Sequence, residues 1–143
     1  DYQCHFCRAS ESGVKELLSK DKDVILIEKE VPFINENSVF LERLSIAAAK
    51  LGEYEAVHNV LMSLPLPYTP DSIKKAFVDA KLDFDKIKQR SAEGDITKIL
   101  DDNLALVKKL GISGTPSFVV PGAPIHQGFP GVEVLEKEIS GEK

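Results

Sequence analysis

The chain has 143 residues and a mass of 15.7 kDa, with 43% hydrophobic and 29% charged side chains, a length and balance that suit one domain around a buried core. Its 23 acidic and 18 basic residues leave a net charge of −5 spread without a basic run, which argues against nucleic acid as a partner. No apolar stretch approaches the roughly 20 residues that span a bilayer, and the opening residues lack the charged-then-apolar pattern of an export signal.

From Cys4 the residues Cys7, Ser10, Val14 and Leu17 recur at helical spacing, which predicts an amphipathic helix over 4–19 with Cys7 on its buried face. Gly13 inside it costs about 1 kcal/mol against alanine and carries no functional reading. The run Val24-Ile25-Leu26-Ile27 closes at Val31-Pro32, which no helix continues through, so 24–30 reads as a buried strand. Phe40, Leu44, Ala47, Ala48 and Leu51 trace one face of a helix that Gly52 ends, and 54–63 follows as a shorter one. After the loop 64–69, Thr69 caps a helix with Pro70 in its first turn and Ile73, Ala76, Phe77 and Ala80 on its apolar stripe. Helices over about 84–91 and 95–110 come next, the second stopped by Gly111. The last 32 residues change character: a strand in "ISGTPSFVV", a turn in "PGAP", a second strand in "IHQGF" and a closing helix in "GVEVLEKEI".

The two cysteines stand as Cys4-His5-Phe6-Cys7 at the start of the first helix. Unpaired N–H groups and the positive end of the helix dipole stabilise a thiolate there, which makes Cys4 the candidate nucleophile. Cys7, one turn further and on the apolar face, is the candidate resolving thiol. An imidazolium at His5 adds to thiolate stabilisation, and the His5-Phe6 dipeptide as a whole is the candidate tuning element. Zinc needs two ligands beyond this pair, and only His5, His58 and His126 are available besides carboxylates, none in a paired spacing, so no metal is assigned. His58 and His126 read as surface or hairpin residues. Thr115-Pro116 is the second signal: a proline opening a strand belongs at an edge or a special bend, and its peptide bond is able to be cis.

In combination these features resemble the DsbA-like thiol–disulfide oxidoreductases. "DYQCHFC" is similar to their aromatic-x-C-x-x-C opening, "EVPFINENSVFLERLSIAAA" to the passage from strand into helical insert, and "GISGTPSFVV" to their cis-proline loop. The resemblance implies a thioredoxin fold, an α/β architecture, as a single domain over 1–143 with a helical insert at about 35–110. It implies Cys4 as the exposed attacking cysteine, Cys7 as the buried one, and Thr115 with cis Pro116 as the loop that pairs with an extended substrate segment. It implies cysteine-containing unfolded or partly folded proteins as substrates, a redox partner that resets the pair, no cofactor, and an extracytoplasmic location with a signal peptide upstream.

Three points differ from many relatives. His5-Phe6 replaces a dipeptide that more often starts with proline, and an oxidising pair is expected. Thr115 leaves both oxidase and isomerase open. The family's central parallel strand precedes the cysteines directly, whereas Asp1 stands three residues before Cys4. Without that strand, 24–30 and 116–120 stand roughly 9 to 10 Å apart, twice the spacing of paired strands. The carboxylate that relatives place on that strand is missing with it. Glu28 or Glu30 is the candidate substitute, and solvated surface charge is the simpler reading of both. Dithiol oxidase is the leading reading, disulfide isomerase or reductase the second, and a non-catalytic client- or metal-binding module the rival from another class.

Overall fold

The computed structural model describes residues 1–141. The order is α1 (His5–Lys20), α2 (Glu36–Lys50), α3 (Tyr54–Ser63), α4 (Pro70–Asp79), α5 (Phe84–Ser91), α6 (Gly94–Lys109), β1 (Ser117–Phe118), β2 (His126–Gln127) and α7 (Val132–Ser140). Helix boundaries follow local chemistry. The Asn35 side chain accepts from the Asn37 N–H at the start of α2, and Asp83 accepts from the Lys86 N–H at the start of α5. Thr69 and Ser72 close a reciprocal capping box on α4, with Pro70 at its first position. Gly111, at φ +68°, lets the chain leave α6 through hydrogen bonds to the Lys108 and Val107 carbonyls from Gly111 and Ile112.

The main core lies among α2 to α6. Leu41, Leu44, Ala47 and Ala48 of α2 are fully buried and meet Val57 and Leu61 of α3, Ile87 of α5 and Ile96 of α6. Phe77 and Phe84 pack edge to face with centroids 5.3 Å apart, joining α4 to α5. Tyr2, just before α1, is buried in the same cluster and ties the cysteine segment to it. α1 packs against α7 and so belongs to a second layer with the hairpin. In that hairpin β1 and β2 run antiparallel, Ser117 opposite Gln127 and Phe118 opposite His126.

The segment 24–30 departs from the sequence expectation. It is extended but forms no ladder, and Ile25 and Ile27 are 85% and 73% exposed. Among the described residues the sheet holds β1 and β2 alone, so the N–H and C=O groups of 24–30 have no neighbouring strand. The predicted strands at 116–120 and in "IHQGF" are shortened to two residues each. A β-branched apolar run suits burial on both faces, and pairing is what creates those faces. The latter part of the segment is held: Val31 is buried, and the Glu30 carbonyl accepts from Asn103 Nδ2 at 3.0 Å. The loop 64–69 adds a cis bond at Leu66-Pro67 that its sequence did not announce.

These burials set unequal costs. Phe77→Ala should lose about 3 to 5 kcal/mol in urea unfolding, because a buried ring leaves a cavity, whereas Ile25→Ser should change stability by less than about 0.5 kcal/mol.

Candidate active site

α1 begins on sulfur. Cys4 is its N-cap, with extended dihedrals of φ −74° and ψ 119°, and its Sγ accepts from the Cys7 N–H at 3.4 Å. The first turn holds no acidic residue, so no side-chain charge there offsets the positive end of the dipole. Across from it the Thr115-Pro116 bond is cis, and the Cys4 thiol donates to the Thr115 carbonyl at 3.2 Å. The Pro116 carbonyl accepts from the Gly128 N–H at 2.8 Å, which holds this loop to the far arm of the hairpin. Both cysteines are free thiols.

The two cysteines are both buried, at 5% exposure for each residue, which corrects the expectation of an exposed Cys4 beside a buried Cys7. The cis-proline loop lies over the helix tip and shields the first sulfur as well. Their chemistry nevertheless diverges. Burial works against a Cys4 thiolate, but the Thr115 side chain and the N–H groups of Cys7 and Phe6 outweigh it, and the thiol falls below its ordinary value. Burial pushes Cys7 up to about 11, the nearby Cys4 sulfur adding to the rise while the Thr115 side chain opposes it. His5 is exposed, its ring set edge-on to Phe6 at 5.6 Å, and the leading influences on Cys4 are the backbone donors and Thr115. Phe6 is 70% exposed beside the sulfur.

Side chains that sequence reasoning left unassigned surround this tip. The Asp1 carboxylate accepts from the N–H groups of Gln3, Phe33 and Ile34 and from the Ser38 hydroxyl, at 2.7 to 2.9 Å, and so joins the cysteine segment to the start of α2. Arg8 donates to the carbonyls of Tyr2, Leu61 and Leu64, tying α1 to the end of α3. Glu42 of α2 is fully buried, and among the described residues neither carboxylate oxygen has a hydrogen-bond partner. Burial raises it to about 8, Glu30 adding to the rise. The Asp1 nitrogen lies between two groups, 3.6 Å from Glu42 Oε1 and 3.7 Å from Cys7 Sγ. The signal was present in the sequence, since Ser38, Leu41, Glu42 and Ser45 share one helical stripe, next to the one traced from Phe40 and Leu44.

His58 and Glu30 are buried, against the reading of both as surface residues. His58 Nε2 faces Glu11 at 3.1 Å, and its Nδ1 lies 3.0 Å from the Tyr2 hydroxyl and 3.6 Å from Glu28. Tyr2 and Tyr54 both donate to Glu30, and Tyr54 also donates to Glu28. The cluster forms where α1, the 24–30 segment and α3 meet, a convergence invisible in sequence order. Glu11, Glu28 and His58 place donor atoms within 4.8 Å of one another, without either cysteine. His126 lies on the hairpin as expected and faces Glu138 of α7 at 2.8 Å.

A helix capped by the first sulfur of a C-x-x-C, facing a cis-proline that opens a hairpin, is an arrangement of the thioredoxin-like fold. The chain belongs to the DSBA-like thioredoxin domain family, whose model matches residues 1–140. It is similar to a thioredoxin-like oxidoreductase from Silicibacter pomeroyi, with a TM-score of 0.91 and 31% identity over 99% of this chain and 81% of that one. It is also similar to a periplasmic thioredoxin-like protein from Salmonella enterica serovar Typhimurium, with a TM-score of 0.85 and 26% identity over 99% of this chain and 79% of that one. A Na(+)/H(+) antiporter of Salinispora tropica, NhaA 3, is 23% identical over 141 residues, which are 97% of this chain but only 22% of the antiporter. The chain thus spans about a fifth of the curated relatives it matches.

The His58 cluster makes stability depend on pH. Burial opposes a charged His58, yet Glu11 and Glu28 raise it above 6.5, so its contribution is complete below that value and is lost as pH rises through the folded one. The bond from His58 lowers Glu11 from 4.5, so that contribution is complete above 4.5 and is lost on further acidification. His58→Gln should therefore cost more stability in urea titrations at pH 5.5 than at pH 9. Equal losses would assign His58 a packing role alone.

Proposed function

We propose that this chain is a dithiol oxidase that passes the Cys4–Cys7 disulfide to cysteine-containing client proteins outside the cytoplasm. The observation that carries the reading is the opposite displacement of the two thiols, Cys4 lowered and Cys7 raised to about 11. A client thiolate attacks Cys4 Sγ, the Cys4–Cys7 bond breaks, and its electron pair leaves on Cys7. Glu42, raised to about 8 and separated from Cys7 Sγ by the Asp1 nitrogen at 3.6 and 3.7 Å, is protonated near neutrality and is the source of the proton that Cys7 takes up. A second client thiolate then attacks the client sulfur of the mixed disulfide, forming the client's disulfide and releasing Cys4 as a thiolate. Two electrons pass from the client dithiol to the pair. Stabilising the Cys4 thiolate makes it the better leaving group and favours the reduced enzyme, which is what an oxidant requires.

In this reading Thr115 and Pro116 offer backbone groups to an extended client segment, and residues 1–143 act as one domain in which about 35–110 is inserted. A separate redox protein takes the two electrons and restores the disulfide. The likeness to a periplasmic thioredoxin-like protein supports the extracytoplasmic setting.

Equilibration with glutathione tests the direction. A reduction potential above about −200 mV is expected, and one near −270 mV would turn the assignment to a reductase. Thr115→Val should raise the Cys4 pKa, followed by thiolate absorbance, and lower the potential, because it removes a hydroxyl that stabilises the thiolate. Activity that survives Cys4→Ala would mean a binding module.

Glu42 gives a separate expectation. Re-formation of the Cys4–Cys7 bond from a mixed disulfide requires Cys7 to lose its proton, so its rate should show an inflection near pH 8. Glu42→Gln should abolish that inflection and slow the step about tenfold or more in stopped-flow measurements.

A further inference from the structure

One residue remote from the sulfurs governs the shape of the surface beside them. A groove of about 550 Å³ is walled by Phe6, Ala9 and Ser10 of α1 on one side and by Ser113 to Pro116 on the other, where the Thr115 carbonyl accepts from the Cys4 thiol. The hairpin arm closes it with Gly128 and Phe129. Phe129 stands in a tight place: its ring lies 5.4 Å from that of Phe118, and a Cβ added to Gly13 would meet its Cζ at 2.4 Å and its Cε1 at 2.6 Å.

Gly13 sits inside α1, where glycine costs about 1 kcal/mol against alanine. Its backbone does not require glycine, because it is not among the glycines with positive φ. Its missing side chain leaves room for the Phe129 ring, which supplies the three nearest atoms to that position. Phe6, Ala9, Ser10 and Gly13 form one helical stripe, so the side chains that wall the groove end where the ring docks.

We propose that Gly13 is a positioning residue for substrate selection: by admitting the Phe129 ring against α1 it sets the depth of the apolar groove, which receives an apolar side chain flanking the client cysteine. The inference rests on the oxidoreductase reading above. It assigns Gly13 no contact with substrate and no part in the sulfur chemistry.

The test compares two cysteine peptides that differ in one flanking residue, leucine or serine, with dithiothreitol as a substrate too small to use the groove. The wild-type protein should prefer the leucine peptide through KM. Gly13→Ala forces the ring away from the helix and should raise KM for the leucine peptide about tenfold, the scale of a methylene-sized misfit in an apolar pocket. Its kcat, its KM for the serine peptide and its exchange with dithiothreitol should stay unchanged. Gly13→Ala combined with Phe129→Leu should recover part of the leucine preference, since the smaller side chain relieves the clash. Phe129→Leu alone, which leaves α1 untouched, should shift the preference toward bulkier flanking residues. Equal effects on both peptides, or an unchanged preference in either single variant, would overturn the proposal. A wild-type protein that exchanges dithiothreitol and both peptides without preference sinks the groove assignment and leaves the redox reading standing. Failure to exchange any of the three overturns both.

Discussion

A sulfur atom caps the first helix, and much of the structure depends on keeping it there. Helix N-termini leave N–H groups without partners, and an oxygen acceptor normally meets them. Here the acceptor is Cys4 Sγ, so the interaction that completes α1 is also one of those that lower the thiol, beside the Thr115 side chain. Folding and reactivity are therefore linked at one atom. The absence of acidic residues from the first turn belongs to the same arrangement, because a carboxylate there would compensate the helix dipole at the expense of the thiolate.

Holding that tip in place requires connections across the molecule. Asp1 collects four donors from its own turn, from residues 33 and 34 and from Ser38, while Arg8 spends its guanidinium on three carbonyls at the far side. Tyr2 lies between these anchors and enters the main core. The cysteine segment is thus held against the helical layer from both flanks, and the cis-proline loop covers it from the hairpin. That enclosure explains why both cysteines are buried, and why burial raises Cys7 while hydrogen bonds lower Cys4.

Polar groups were placed inside this joint at some energetic cost. Burying a carboxyl without hydrogen-bond partners, as at Glu42, is unfavourable and pushes the group toward its neutral form. Glu30 and His58 avoid that fate by sharing partners: two tyrosine hydroxyls and three carboxylates converge around one imidazole. The layer boundary is consequently a titratable joint and not an oily one, and α1 contributes Glu11 to it.

What the sequence determined by itself was everything that short-range chemistry decides. Cys4 and Cys7 at a helix start, Thr69-Pro70 as a cap, Gly52 and Gly111 as stops and the Thr115-Pro116 entry to the hairpin all act within a turn or two of chain, where side chain and backbone meet their partners locally. Tertiary structure alone decided the rest. Val24 to Ile27 carry the residues of a strand, but strand pairing is a property of the neighbour, and among the described residues no neighbour lies beside them. His58 looks like an ordinary polar helix position until α3 turns it inward, and Gly13 looks like a defect until Phe129 fills the space above it. Burial and close approach depend on which distant segments come together, and a side chain's own identity does not record that.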